Sequence, residues 1–134
     1  MIRIALSLAT LLMSAAAIAV PAKPPAIDYV EFRVHDIART KAFYGAVFGW
    51  SFVDYGPGYT SFTDNGLGGG FTTDGTPNPG GPLMVFHVDD LEATLARAKS
   101  AGAVIVKPIF SFPGGKRFQV RDPDGYEIAA WTQE

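Results

Sequence analysis

A short pattern occurs twice in this chain, as Val34-His35-Asp36-Ile37 and as Val88-Asp89-Asp90-Leu91. Each copy ends a run that reads as a strand and opens one that reads as a helix. A chain that repeats a strand-to-helix junction is constrained to build two like units. Units this short cannot each close a core, so both must pack as one domain. In the first unit Asp28-Tyr29-Val30-Glu31-Phe32-Arg33-Val34 alternates polar and apolar residues, the period of a half-buried strand. Asp36 then serves as helix N-cap, and Ile37, Thr40, Tyr44, Val47 and Phe48 follow at helical spacing. Gly49 stands where a left-handed helix end belongs. In the second unit residues 83–88 form the strand, Asp89 or Asp90 caps the helix, Leu91, Leu95 and Ala98 make its buried stripe, and Gly102 stops it.

Three strand candidates follow each helix: 50–55, 58–63 and 67–73 in the first unit, and 104–110, 116–121 and 126–131 in the second. Fifteen glycines and ten prolines supply the turns between them. Asp122-Pro123-Asp124-Gly125 reads as one such turn, with proline at a favoured position and glycine at the close. Residues 74–82, rich in proline and glycine, link the halves. The expected fold class is α+β, with βαβββ occurring twice, in modules 27–73 and 83–131.

The start of the chain does not fit this pattern. Arg3 precedes an uncharged run from Ile4 to Val20 that turns alanine-rich, and Ala17-Ile18-Ala19 and Val20-Pro21-Ala22 are small-x-small sites. This reads as a secretory signal over residues 1–22 with a proline-stiffened linker at 23–26. A membrane anchor is the weaker reading, because the run is short and its second half only weakly apolar. The expected location is therefore periplasmic or secreted, without a stable membrane anchor. The chain has no cysteine, which removes disulfides, thiolate nucleophiles and Cys-zinc sites together. A net charge of −2 with scattered lysines and arginines argues against nucleic acid as a partner.

Taken together, Val34-His35-Asp36, Phe43-Tyr44, Val47-Phe48-Gly49-Trp50, Gly68-Gly69-Gly70, Val88-Asp89-Asp90-Leu91 and Asp122-Pro123-Asp124-Gly125-Tyr126 resemble the glyoxalase, bleomycin-resistance and ring-cleaving dioxygenase group, the vicinal oxygen chelate superfamily. Their order and spacing carry the likeness from Ile27 to Trp131. The resemblance implies paired modules whose sheets curl around a concave small-molecule pocket. It also implies metal ligands at the starts of the first and fifth strands and on the last strand. Those positions hold Tyr29, Leu83 and Ala129, and the matching stretch of the fourth strand, Leu67 to Phe71, holds only Gly, Leu and Phe. Leu and Ala offer no lone pair and a neutral phenol is a poor ligand for a divalent cation, so no metal and no other cofactor is expected there.

Strand alternation sorts the remaining side chains. Val30, Phe32, Val34, Met84, Phe86 and Val88 should pack on the helices. Tyr29, Glu31, Arg33 and His87, with Glu127 and Trp131 on the final strand, should face the pocket as substrate-binding residues. Tyr29 and Trp131 suit a flat or apolar ligand; Glu31, Arg33, His87 and Glu127 suit its polar groups. Glu31 and Arg33 also have a structural role open to them, pairing with neighbours such as Glu127. Phe43, Tyr44 and Trp50 belong to the core and His35 to an exposed turn. Gly68-Gly69-Gly70 lacks the Lys-Ser/Thr of a phosphate loop and fits close backbone approach or a bulge. No catalytic residue can be assigned.

Two functions follow from this pattern. One is metal-independent binding of a small organic molecule between modules. The other is a glyoxalase-type lyase or isomerase using a displaced acid-base or metal site of Glu31, His87 and Glu127. An open sheet edge makes assembly, including a homodimer, a third expectation. The leader yields a direct test: protein recovered from a native-like host should begin after Ala19 or Ala22 by mass. Intact Met1 in the membrane fraction would contradict it.

Overall fold

The computed structural model describes residues 29–62 and 66–134. The first module runs β1 (Tyr29–Arg33), α1 (Ile37–Phe48), β2 (Phe52–Asp54), β3 (Tyr59–Phe62) and β4 (Gly68–Thr72). The second runs β5 (Met84–His87), α2 (Leu91–Ser100), β6 (Val104–Phe112), β7 (Gly115–Arg121) and β8 (Glu127–Gln133). Residues 1–28, on which the expected leader (1–22) and linker (23–26) fall, lie outside the described residues. Among the described residues no helix is long and apolar enough to cross a membrane.

Each module forms its own four-stranded sheet, ordered β1-β4-β3-β2 and β5-β8-β7-β6. The first strand pairs parallel with the last of its module, and the other pairs are antiparallel. The repeat is reproduced bond for bond at the junctions. Val34 N donates to Thr72 O at 2.8 Å and Val88 N to Trp131 O at 2.9 Å. Asp36 and Asp90 cap their helices by accepting from Arg39 N (3.0 Å) and Ala93 N (2.9 Å). One turn further on, Thr40 and Thr94 hydroxyls donate to the backbone oxygens of the same two aspartates. Gly49 adopts φ 71°, which explains why glycine closes the first helix.

The alternation expected from sequence sets the core. Phe32 and Val34 are buried while Tyr29, Glu31 and Arg33 are exposed; Met84 and Phe86 are half-buried while Val85 and His87 are exposed. Tyr44, at the centre, stacks on Trp50 (5.1 Å between ring centroids) and meets Phe71 at 4.9 Å. Trp50 stacks in turn on Phe62 at 4.3 Å. Phe86 crosses from the second module to meet Phe48 at 4.7 Å and Trp50 at 5.3 Å.

The three consecutive glycines are explained by close approach. A Cβ at Gly69 would overlap the Phe62 ring, and one at Gly70 would overlap the Tyr59 and Tyr29 hydroxyls. Pairing of β4 with both neighbours is continuous, so there is no bulge. Irregularity falls instead in β6, whose register against β7 shifts on either side of Lys107, and which extends to Phe112 rather than ending at residue 110.

The turn at 122–126 does more than join β7 to β8. Asp122 Oδ1 accepts from the backbone N–H groups of Asp124 and Tyr126, each at 2.9 Å, while Oδ2 accepts from the Tyr44 hydroxyl of α1 at 2.9 Å. Asp124, its side chain fully buried, accepts from His35 N at 2.9 Å and pairs with Arg39 at 3.1 Å. Tyr126 donates to Arg33 O at 2.8 Å, accepts from Asn78 N at 3.1 Å, and sets its ring edge-on to Phe32. From α2, Arg97 Nε donates to Val47 O at 3.0 Å. The second module is thus latched onto the first helix by directional bonds in a buried setting.

Burial raises the Asp122 carboxyl above its ordinary value, opposed by the bonds from Tyr44 and the two backbone N–H groups. Burial, and then the Asp122 charge, push the Tyr44 phenol well above its own. A carboxyl with a raised folded pKa favours the fold when protonated. That gain is present below the unfolded value near 3.8 and is lost as pH rises through the folded value. Asp122→Asn removes the charge but keeps a carbonyl oxygen, whereas Asp122→Ala leaves three buried donors without a partner. Thermal or chemical melting should show Asp122→Ala costing about 3 kcal/mol or more and Asp122→Asn clearly less. The stability of the native chain relative to Asp122→Asn should grow as pH falls toward 4.

Candidate functional site

Two faces carry the polar residues singled out from sequence, one on each sheet. On the first, β1 aligns Tyr29, Glu31 and Arg33 opposite Gly68, Gly70 and Thr72 of β4, and β3 adds Tyr59 and Ser61 on the same side. Because Gly70 has no side chain, the Tyr29 and Tyr59 hydroxyls meet above it and hydrogen-bond to each other. Burial and the Tyr29 hydroxyl, with Glu31 behind them, raise the Tyr59 phenol, which stays neutral. Arg33 lies along Gly75 of the inter-module link.

On the second face, β5 presents Val85 and His87, β8 presents Glu127, Ala129 and Trp131, and β7 presents Arg117, Gln119 and Arg121. Lys107, Phe110 and Phe112 complete it from β6. The His87 ring stands edge-on to Trp131 at 5.1 Å, and Phe112 meets Trp131 at 6.0 Å. The Arg117 guanidinium lies over Phe110 at 5.1 Å and Phe112 at 5.6 Å, within cation–π range. Gln119 Nε2 donates to Glu127 Oε1 at 2.5 Å.

Two hollows flank the β5 edge. A cleft of about 580 Å³ separates the modules, walled by Val30, Phe32, Phe48, Trp50 and Phe62 on one side and by β5 with Val88 and Asp89 on the other. A smaller hollow of about 140 Å³ lies over the second sheet, lined by Val85, Phe112, Arg117 and Trp131. Val85 belongs to both, so the hollows adjoin.

This arrangement departs in part from the sequence reading. The large cleft is walled mainly by the helix-packed side chains Val30, Phe32, Met84 and Phe86, because β5 is an edge strand that the helices leave half covered. Of the six residues proposed for the pocket, His87 lines the cleft and Trp131 the smaller hollow, and these two touch. Tyr29, Glu31 and Arg33 gather on the other sheet. Glu127 pairs with Gln119 rather than with Glu31 or Arg33. Sequence reasoning missed Arg117, Gln119, Phe112 and Tyr59. The alternation of Arg117, Gln119 and Arg121 along β7 was the available signal, since it puts all three on one face.

The side chains do not fit a divalent cation at the family's ligand positions. Tyr29 is bonded to Tyr59, the space at Gly70 is filled by those phenols, Leu83 is an aliphatic residue before β5, and Ala129 is fully buried opposite Val85 and Gln119. Among the described residues no three His, Asp or Glu side chains converge, Glu31, His87 and Glu127 included.

A family model for the glyoxalase/bleomycin resistance protein/dioxygenase superfamily matches residues 26–130. The chain belongs to that superfamily. A comparison with curated proteins finds no match. Solved structures share the fold of this glyoxalase-like chain. A glyoxalase-related enzyme from Fulvimarina pelagi is 23% identical with a TM-score of 0.70, the match covering 81% of this chain and 88% of that one. A glyoxalase/bleomycin resistance protein/dioxygenase family enzyme from Burkholderia phytofirmans PsJN is 20% identical with a TM-score of 0.71, covering 82% of this chain and all of that one. An integron cassette protein from the mobile metagenome of V. cholerae is 23% identical with a TM-score of 0.67, covering 86% and 100%. At these identities the likeness speaks to fold alone.

Proposed function

We propose that this glyoxalase-like protein is exported and binds a small organic molecule beside β5 without a resident metal ion. The observation that carries this reading is the pair of adjoining hollows on either side of Val85, aromatic and aliphatic in their walls and tipped by a few polar groups. That is the usual make-up of a small-molecule site, and the larger hollow falls within the usual size range. His87 and Trp131 stand at its rim, one exposed and one half-buried. Metal independence rests on the chemistry of the ligand positions, where phenol, glycine, leucine and alanine supply no charged donor. Export rests on Arg3, the apolar run after it and the small-residue sites at 17–22.

Two measurements test this reading. Trp131→Ala and His87→Ala should impair binding of a ligand found by unbiased screening more than they lower stability in melting. Phe32→Ala, which empties a space between Phe71 and Tyr126, should cost about 3–5 kcal/mol. Equal damage from His87→Ala and Phe32→Ala would contradict the assignment of faces. Elemental analysis of protein purified without chelator or His tag should return no stoichiometric divalent metal. One tightly held Zn, Ni, Mn or Fe per chain, lost on mutating Glu31 or His87, would overturn metal independence.

A further inference from the structure

The smaller hollow carries a more specific message than its size. Two buried polar atoms on its strand have no hydrogen-bond partner, Arg117 Nε, a donor, and Gln119 Oε1, an acceptor. Gln119 is only 4% exposed, so water does not readily supply the missing bond. A buried polar group left unpaired costs free energy, and two on one face of one strand call for a shared partner. Such a partner presents an acceptor to Arg117 and a donor to Gln119. The two residues are rooted roughly 7 Å apart along β7, a span comparable to one para-substituted ring.

The surroundings narrow the class further. Phe110, Phe112 and Trp131 supply flat apolar surface beside the guanidinium. The hollow holds about 140 Å³, and an apolar cavity of about 150 Å³ is known to accept benzene. Charge settles the sign of the acceptor. Lys107, Arg117 and Arg121 lie on this face against Glu127 alone, and among the described residues none of the three cations has an ion-pair partner. Glu127, which accepts from Gln119 Nε2 through one oxygen, offsets only one of the three charges, so the face stays net positive. A cationic face with aromatic walls favours a planar anion and disfavours a planar cation.

We infer that the hollow formed by Val85, Phe112, Arg117 and Trp131 takes a single-ring aromatic carboxylate, its carboxylate on Arg117 and a ring hydroxyl donating to Oε1 of Gln119, which adjoins the hollow on the same face of β7 without lining it and turns toward the ring as it enters. This rests on the small-molecule reading above and gives it a ligand class. Trp131 walls the ring and His87, in contact with Trp131, closes the side toward the inter-module cleft. No bond is made or broken in this step.

Calorimetry on the full chain, with tryptophan fluorescence as a second signal, tests it using 4-hydroxybenzoate, benzoate, 4-hydroxybenzyl alcohol and tyramine. The expected order is 4-hydroxybenzoate first and benzoate second, with the alcohol and tyramine at least about tenfold weaker than 4-hydroxybenzoate. Arg117→Gln should weaken 4-hydroxybenzoate by about tenfold or more, and Gln119→Leu should bring it down to the level of benzoate. Quenching should vanish in Trp131→Phe. If Arg117→Gln fails to fold, the ranking of the four probes on the native chain decides. Tyramine or the alcohol binding as tightly as the carboxylates, or a folded Arg117→Gln binding undiminished, overturns the ligand class and leaves the small-molecule reading standing. Benzoate binding as tightly as 4-hydroxybenzoate overturns the role of Gln119. Absence of binding by all four probes overturns the ligand class; if an unbiased small-molecule screen also finds no ligand, the broader reading falls with it.

Discussion

The buried bond between Tyr44 and Asp122 is the constraint on which the rest of this structure depends. Tyr44 is the hub of the aromatic core of the first module, and Asp122 opens the last turn of the second. Joining them fixes how the two repeats sit together, and with that the width of the cleft between β1 and β5. The bond is directional and shielded from water, so it specifies one arrangement where apolar packing alone would tolerate several. Its cost is the desolvation of a carboxyl, offset by three donors converging on two oxygens. Asp124 and Tyr126 extend the latch to the start of α1 and the end of β1.

Divergence of the repeats separates structure from chemistry. The first module uses its outer face for a tyrosine pair that closes over Gly70. The second module keeps its face cationic and aromatic, with an opening beside Trp131. Two copies of one architecture thus carry different surfaces. The small-residue positions Gly70 and Ala129 stand at matching points of β4 and β8, yet phenols cover one and the Gln119 side chain neighbours the other.

Strand order within the chain decides where space is left. Because β1 and β5 are both edge strands, each has one side without a sheet neighbour. Phe32 and Val34 are buried, Phe32 with its ring against Tyr126 of the latch, whereas Met84 and Phe86 are only half covered. That asymmetry opens the large cleft and makes Val85 the ridge between two hollows. An apolar wall that alternation assigns wholly to the core therefore also serves as the lining of a cavity.

The repeat, both helices with their aspartate caps, the eight strands and the faces of β1, β5 and β8 were legible in the sequence. They depend on interactions between residues near in the chain: the 3.6 and 2.0 periods, capping by a side chain three residues away, and glycine at a left-handed position. The lack of charged donors at Tyr29, Leu83 and Ala129 was legible for the same reason, since the two Val-x-Asp junctions set the register of the first and fifth strands and Asp122 that of the last. What only the tertiary structure decided is which distant side chains meet. Asp122 finding Tyr44, the two phenols meeting over Gly70, Glu127 turning to Gln119, and Arg117 settling on Phe110 and Phe112 all join residues on different strands or in different modules. Periodicity along a chain determines the face a side chain occupies. The partner on that face depends on how two sheets and a turn close in three dimensions, which no local pattern encodes.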